Sequence, residues 1–533
     1  MKLQKLLPSV VFAASATAIT ANAQQISNPI LYVTQVPPSQ GHNTVLSIDG
    51  NLLATTAAAP RGGDLMILYP DLSVKNLTRL AGYGIAGSQQ KGPDAIAVRD
   101  PHVHFSGTKA VFSMVRGAPS NIGETGEYFW QIYEITGLGK AQTPVITKVP
   151  GQHADYNNVQ PAYLSDGRIV YATDCPVTGQ KHLYPALDED GLGPAGTGLW
   201  AVDPEAPQGT QPVMLTHATS GAAEPFVDSF GRVMFTRWDV LQRDKLAATP
   251  GRVLLDYQTE APNATYGQYT EVFPEPLQSQ TEPFGLRFDV FMPWTINQDG
   301  GNLNTLNHLG RHELSLDFPR SGPDAGLADF TSNEFSPNSV VPAPTRAGAF
   351  FQIAEHPYSP GRYVAIDVTM TNLSAGRVVS VLAPPTMNPD LVTVSLISNV
   401  GLTRDVSWNA HGQLMGSWMP PVQGVTIPGS YGAPAPPVDP STQVSGKFSI
   451  RLATTNSKLE QGANLTTPQT ITTVQIIGGQ EVTFNGTPHQ LQPTEVSSRT
   501  VPVTTATTPE VETPEASVYI RNGVSPTAFQ TWL

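Results

Sequence analysis

The sequence predicts an all-β chain folded as a β-propeller of six to seven four-stranded blades, eight at most, with long loop insertions. Three observations predict it. A strand, a Gly-ended turn and a second strand recur along the chain; a further apolar strand pair follows each copy; and 47 Gly and 49 Pro fall between short β-branched runs. Four strands per repeat is the content of one propeller blade.

The N-terminus stands apart from the repeats. Lys2 and Lys5 precede an apolar, Ala-rich run from Leu6 to Ile19 and then Ala21-Asn22-Ala23. This is the layout of a cleavable export signal over residues 1–23, and it places the mature chain in the periplasm or outside the cell. No integral membrane segment is expected after cleavage.

The repeat is clearest in three copies. Asp100-Pro101-His102-Val103 leads through Gly107 to Ala110-Val111-Phe112; Gln160-Pro161-Ala162-Tyr163 leads through Asp166-Gly167 to Ile169-Val170-Tyr171; Glu224-Pro225-Phe226-Val227 leads through Gly231 to Val233-Met234-Phe235. Gly supplies the positive φ that such tight turns demand. A weaker copy runs from Arg404-Asp405 through Gly412 to Leu414-Met415. The second recurring piece is an aromatic-bearing strand with a Thr- or Leu-rich return: Asp64–Tyr69 before Asn76–Thr78, Trp130–Ile135 before Val145–Thr147, Gly198–Asp203 before Met214–Thr216, and Pro293–Asn297 with its Asp299-Gly300 turn. Blades therefore begin near residues 30, 97, 155, 220, 335 and 392, with a seventh available in the C-terminal segment. The propeller is assigned to residues 28–455. Residues 456–533 form a β/Thr-rich segment that either closes the ring or is a small appended piece. The Pro-rich stretch 419–445 reads as a surface loop.

On Ile30–Pro37, Gln160–Tyr171, Phe235–Asp239 and Trp294–Gly300, the chain resembles exported bacterial propellers of the TolB-like group (WD40-like, PD40). Within that group it resembles proteins similar to the middle domain of the hydrazine synthase alpha subunit. The synthase resemblance implies haem chemistry, but covalent c-type haem needs two Cys and a following His. Cys175 is the single cysteine and Pro176 follows it. No c-type haem is expected, and no cofactor is predicted.

Composition narrows the partners. The formal net charge of −13 becomes more negative once Lys2 and Lys5 are removed, which disfavours nucleic acid and anionic membranes. Candidate positions remain on the repeats. His102 and His104 alternate on one strand and, with His153 and Asp155 of the next repeat, form a metal-ligand set; the alternative is that they cap turns. Asp100, Gln160 and Glu224 stand before the repeat proline, with Asp405 near the corresponding place beside Arg404. Either they line one mouth of the channel, or each satisfies backbone N–H groups of its own blade. Arg237, Trp238 and Asp239 offer a charged aromatic rim or an internal salt bridge. Asp188-Asp190-Gly191 and Asn297-Asp299-Gly300 lack the closing Glu of a calcium loop and read as turns. No catalytic motif is present. The expectation is a scaffold binding an unidentified protein or small molecule at one propeller face; the alternative is an enzyme, metal-dependent oxidoreductase, lyase or hydrolase, at the channel mouth.

Overall fold

In the computed structural model the described residues are 26–38, 52–175, 198–216, 221–240, 254–257, 266–269, 289–307, 350–370, 375–387, 392–420, 447–453, 458–467, 469–504 and 518–525. The expected export signal of residues 1–23, the Asp188–Gly191 stretch and the Pro-rich residues from 421 onward lie outside them.

Among the described residues the strands pair as antiparallel meanders that resolve into six four-stranded units. The second blade is Gly92–Val103, Lys109–Ala118, Trp130–Thr136 and Val145–Lys148; the third is Asn158–Tyr163, Ile169–Thr173, Gly198–Val202 and Val213–Met214. The fourth is Gly221–Val227, Arg232–Val240, Asp289–Asn297 and Asn304–Thr305. In the fifth, Phe350–Glu355, Arg362–Met370 and Ala375–Leu382 are joined by the first part of the long strand Thr393–Trp408. The last part of that strand turns inward and opens the sixth blade, where it pairs with Leu414–Met419, followed by Ser449–Leu452 and Ala463–Asn464. The sixth blade thus starts inside a strand rather than at a loop. The first blade is composite: Ile30–Gln35, Leu65–Leu68 and Val74–Asn76 take their innermost partner from His489–Glu495. An early strand and a late strand meeting in one sheet close the ring.

Sheets are apolar on both faces because each blade packs between two others. Ile169–Thr173 and Gly198–Val202 are buried throughout. One cluster joins Leu31, Val33, Phe112, Met114 and Ile135 of the first and second blades, and another joins Met234, Phe350, Tyr363 and Val379 of the fourth and fifth. A wholly buried Phe112 contributes about 1.5–3 kcal/mol.

Alternation of strand direction gives the propeller two unlike ends. At one end sit the first-to-second strand turns the sequence marks: the N–H groups of Gly107, Gly167, Gly231 and Gly412 donate to the carbonyls of His104, Leu164, Asp228 and Asn409. At the other end lie the connections from second to third strand and from blade to blade, among them the hairpins Leu254–Tyr257/Tyr266–Tyr269 and Ile471–Ile477/Gln480–Gly486. Among the described residues no helix is long and apolar enough to cross a membrane.

Candidate functional site at the propeller axis

Every innermost strand carries a register irregularity near its turn end: Arg99/His102, Val159/Ala162, Ala223/Phe226, Phe351/Ala354, Thr403/Asp405, and the bulge opposite Leu31/Val33 that falls at Leu491–Thr494. In five of the six the bulged residue has positive φ: Asp100 (56°), Gln160 (55°), Glu224 (56°), Gln352 (51°) and Gln492 (55°). For residues with a side chain this conformation costs about 1–3 kcal/mol and persists where the surroundings hold it.

The surroundings here are the other bulges. Gln492 Nε2 donates to Asp100 Oδ1 (2.8 Å) while the Asp100 N–H donates back to Gln492 Oε1 (2.8 Å). The Gln160 N–H donates to Asp100 Oδ2 (3.2 Å), the Glu224 N–H to Gln160 Oε1 (2.9 Å), and the Gln352 N–H to Glu224 Oε2, with Gln352 Nε2 on Glu224 Oε1 (2.7 Å). The Gln492 N–H in turn reaches the Asp405 carboxylate. The acceptors therefore serve neighbouring blades; Asp100 and Asp405 serve their own blade as well, Asp100 accepting from Ser113 Oγ (3.3 Å) and Asp405 from Ser417 N (3.0 Å) and Ser417 Oγ (2.6 Å).

This chain of hydrogen bonds surrounds a cavity of about 130 Å³ on the axis, to which all six blades contribute. Just past each bulge stands a buried apolar collar: Pro101, Pro161, Pro225, Ile353, Val406 and Pro493. Gln160 is 5% exposed and lines the cavity, and its Nε2 has no hydrogen-bond partner among the described residues. Burial pushes the Glu224 carboxyl up to about 7, Asp100 adding to the shift and the Gln352 donors opposing it. Burial likewise raises Asp405.

His102 also lines the cavity, but its ring is engaged. Arg499 Nη2 lies 3.2 Å from Nε2, and burial together with the Arg499 charge holds the imidazole well below its ordinary value. A neutral imidazole has one lone pair, and here a guanidinium occupies it. His104 caps its own turn, Nδ1 accepting from the Ser106 N–H (3.0 Å), and packs edge-on against Tyr163. His153 and Asp155 lie in a different pocket, with Gln152, Tyr156 and Gln211, where His153 meets the Trp200 ring at 4.7 Å. The structure therefore brings His102 and His104 together at Tyr163 and leaves His153 and Asp155 apart. Among the described residues no three His, Cys, Asp or Glu side chains are grouped to hold a metal. Arg237 stacks on Trp294 (4.1 Å), while the side chains of Trp238 and Asp239 lie outside the described residues. Asn297–Gly301 is a turn, closed by Asn297 N–H to Gly301 O (2.8 Å) and Gly300 N–H to Asn297 O (2.9 Å).

Beside the cavity, the segment after the closing strand runs along the turn end. The Arg499 N–H donates to Phe105 O (2.8 Å), and a Cβ on Gly231 would stand 2.0 Å from Val503 O.

Sequence reading missed Gln352 and Gln492. Gln492-Pro493 repeats the dipeptide of Gln160-Pro161 and was open to detection; Gln352 is followed by Ile353 and carries no such mark.

No known family model matches this sequence, and no curated protein matches it. Among solved structures, a Kuenenia stuttgartiensis hydrazine synthase chain is similar at 12% identity and a TM-score of 0.47, covering 90% of this chain and 48% of that one. This chain spans about half the length of that protein. A Xanthomonas campestris gluconolactonase is similar at 9% identity and a TM-score of 0.32, covering 87% and 97%. A glucose dehydrogenase is similar at 11% identity and a TM-score of 0.31, covering 73% and 93%. The propeller assignment stands on the strand pairing described above.

Proposed function

We propose that this chain is an exported, TolB-like binding propeller whose axial cavity receives a small polar group, either a free molecule or a side chain of a partner protein. The observation that carries the reading is the Gln160 Nε2 donor, buried, unpartnered and facing a cavity built by every blade. A buried donor without an acceptor costs about 1–3 kcal/mol, so a group bearing an acceptor gains by filling the space. The charged side chains around it favour binding over chemistry: the Asp100 and Glu224 carboxylates hold backbone N–H groups of neighbouring blades, and the His102 lone pair faces Arg499. Export is supported by the first 23 residues alone.

One observation favours an enzyme as a second reading. Glu224 lines the cavity with a carboxyl value near neutrality, where a carboxyl can serve as general acid or base.

Two measurements separate the readings. Acetamide titrated into the isotopically labelled protein should shift resonances around the cavity saturably in the wild type and not in Gln160→Leu; no saturable response sinks the binding site. Elemental analysis of protein purified without chelators or added metal should find no stoichiometric transition metal. Stoichiometric metal that His102→Ala with His104→Ala removes would place the metal-dependent enzyme first.

A further inference from the structure

Four deeply buried arginines can be compared for what satisfies them. Arg61 donates to three backbone carbonyls, those of Gly117 (2.8 Å), Ala59 and Ala54 (2.7 Å). Arg99 is paired with Asp100 at 3.0 Å, and Arg377 with Asp367 at 2.6 Å. Arg404, 3% exposed, donates once from Nη1 to Gln35 Oε1 (3.1 Å) and has the Phe448 ring 5.8 Å away. Its Nε and Nη2 have no hydrogen-bond partner among the described residues.

Those two atoms are not an arbitrary pair. Nε–H and one Nη2–H lie on the same edge of the planar guanidinium and point the same way, forming the two-pronged fork that takes both oxygens of a carboxylate. The neighbouring acid does not fill it, because the Asp405 oxygens are held by Ser417 and Gln492, and among the described residues no carboxylate lies within ion-pair distance of Arg404. We propose that the Nε/Nη2 edge of Arg404 is a receptor for a small carboxylate at the propeller axis, next to the residue by which this strand lines the axial cavity.

The charges around the site include both signs. Arg99 and Lys447 add positive potential, Asp100 and Asp405 negative. His489 beside it is neutral: burial first, then Arg404 and Lys447, lower it to about 3. The fork thus faces no competing anion in direct contact. Among the described residues Arg404 Nε, Arg404 Nη2 and the cavity-lining Gln160 Nε2 are unmet donors, and a carboxylate brings only acceptors.

The test uses the whole mature chain and acetate as probe. Line broadening of ¹³C-labelled acetate and the thermal midpoint are followed against acetate concentration, with chloride holding ionic strength constant. The wild type should show saturable broadening and a midpoint that rises with acetate over chloride. Arg404→Lys keeps the charge without the fork and should bind acetate at least about 10-fold more weakly, since the bidentate geometry is lost. Arg404→Met should show no acetate response. Absence of saturable broadening in the wild type overturns the proposal by itself, and so does an unchanged affinity in Arg404→Lys; if the Met variant does not fold, those two results still decide. The acetamide titration at Gln160 is a separate readout, so this inference and the binding reading fail independently.

Discussion

Two blades carry the same dipeptide at the same place and use it differently. Arg99-Asp100 in the second blade and Arg404-Asp405 in the sixth both precede the collar, and both face a serine on the adjacent strand, Ser113 and Ser417. In the second blade the irregularity falls after Arg99, so Asp100 itself adopts φ 56° and its carboxylate meets Arg99, Gln160 N–H and Gln492 together. In the sixth the irregularity falls one residue earlier, between Thr403 and Asp405, and Asp405 turns to Ser417 while Arg404 is left to Gln35. Register of a bulge, not composition, decides whether an Arg-Asp pair neutralises itself.

The comparison can be broken most severely at Asp100. Asp100→Ala removes acceptors for three blades and strands Arg99 in the core, which should cost about 3–5 kcal/mol by denaturant unfolding, the range for breaking a buried pair. Gly231→Ala should come next. It forces a side chain onto φ 77° and against Val503 O, costing about 1–3 kcal/mol and freeing the segment after the closing strand, which limited proteolysis would reveal. Ser417→Ala and Ser113→Ala should each cost about 1 kcal/mol by denaturant unfolding: Ser417 Oγ donates to its acid at 2.6 Å, while Ser113 Oγ donates to Asp100 at 3.3 Å and accepts from the Gln160 N–H at 3.1 Å. A smaller difference concerns pH. Glu224 moves from an ordinary 4.5 to about 7 in the folded state, so the native form holds its proton between those values while the unfolded chain releases it. Wild-type stability should therefore fall relative to Glu224→Gln as pH rises from about 4.5 to 7 and then run parallel, measured as the difference in urea midpoint across that window. A flat difference would mean that Glu224 ionises normally.

Much of the architecture could be read from turns. Gly107, Gly167, Gly231 and Gly412 each close a first-to-second strand turn, because a tight turn writes its φ requirement into a single residue. The acceptor residues before proline were visible for the same reason at Asp100, Gln160 and Glu224. What those acceptors bind was not. The Asp100–Gln492 contact joins residues 392 apart and exists only because the ring closes, so no local pattern encodes it. Gln352 escaped because its blade lacks the proline, and the start of the sixth blade escaped because it lies inside a strand that serves two sheets.

The composite first blade sets a timetable. A chain made N-terminus first presents Ile30–Gln35 almost at once, yet the strand that covers its inner edge, His489–Glu495, arrives only after the other five blades have been made. Until then the chain of hydrogen bonds lacks the link between Asp100 and Asp405, the two acids that Gln492 bridges. An unpaired inner edge exposed for so long is a standing invitation to pair with another chain. Chaperone protection during that interval would then govern yield more than the finished molecule's stability does.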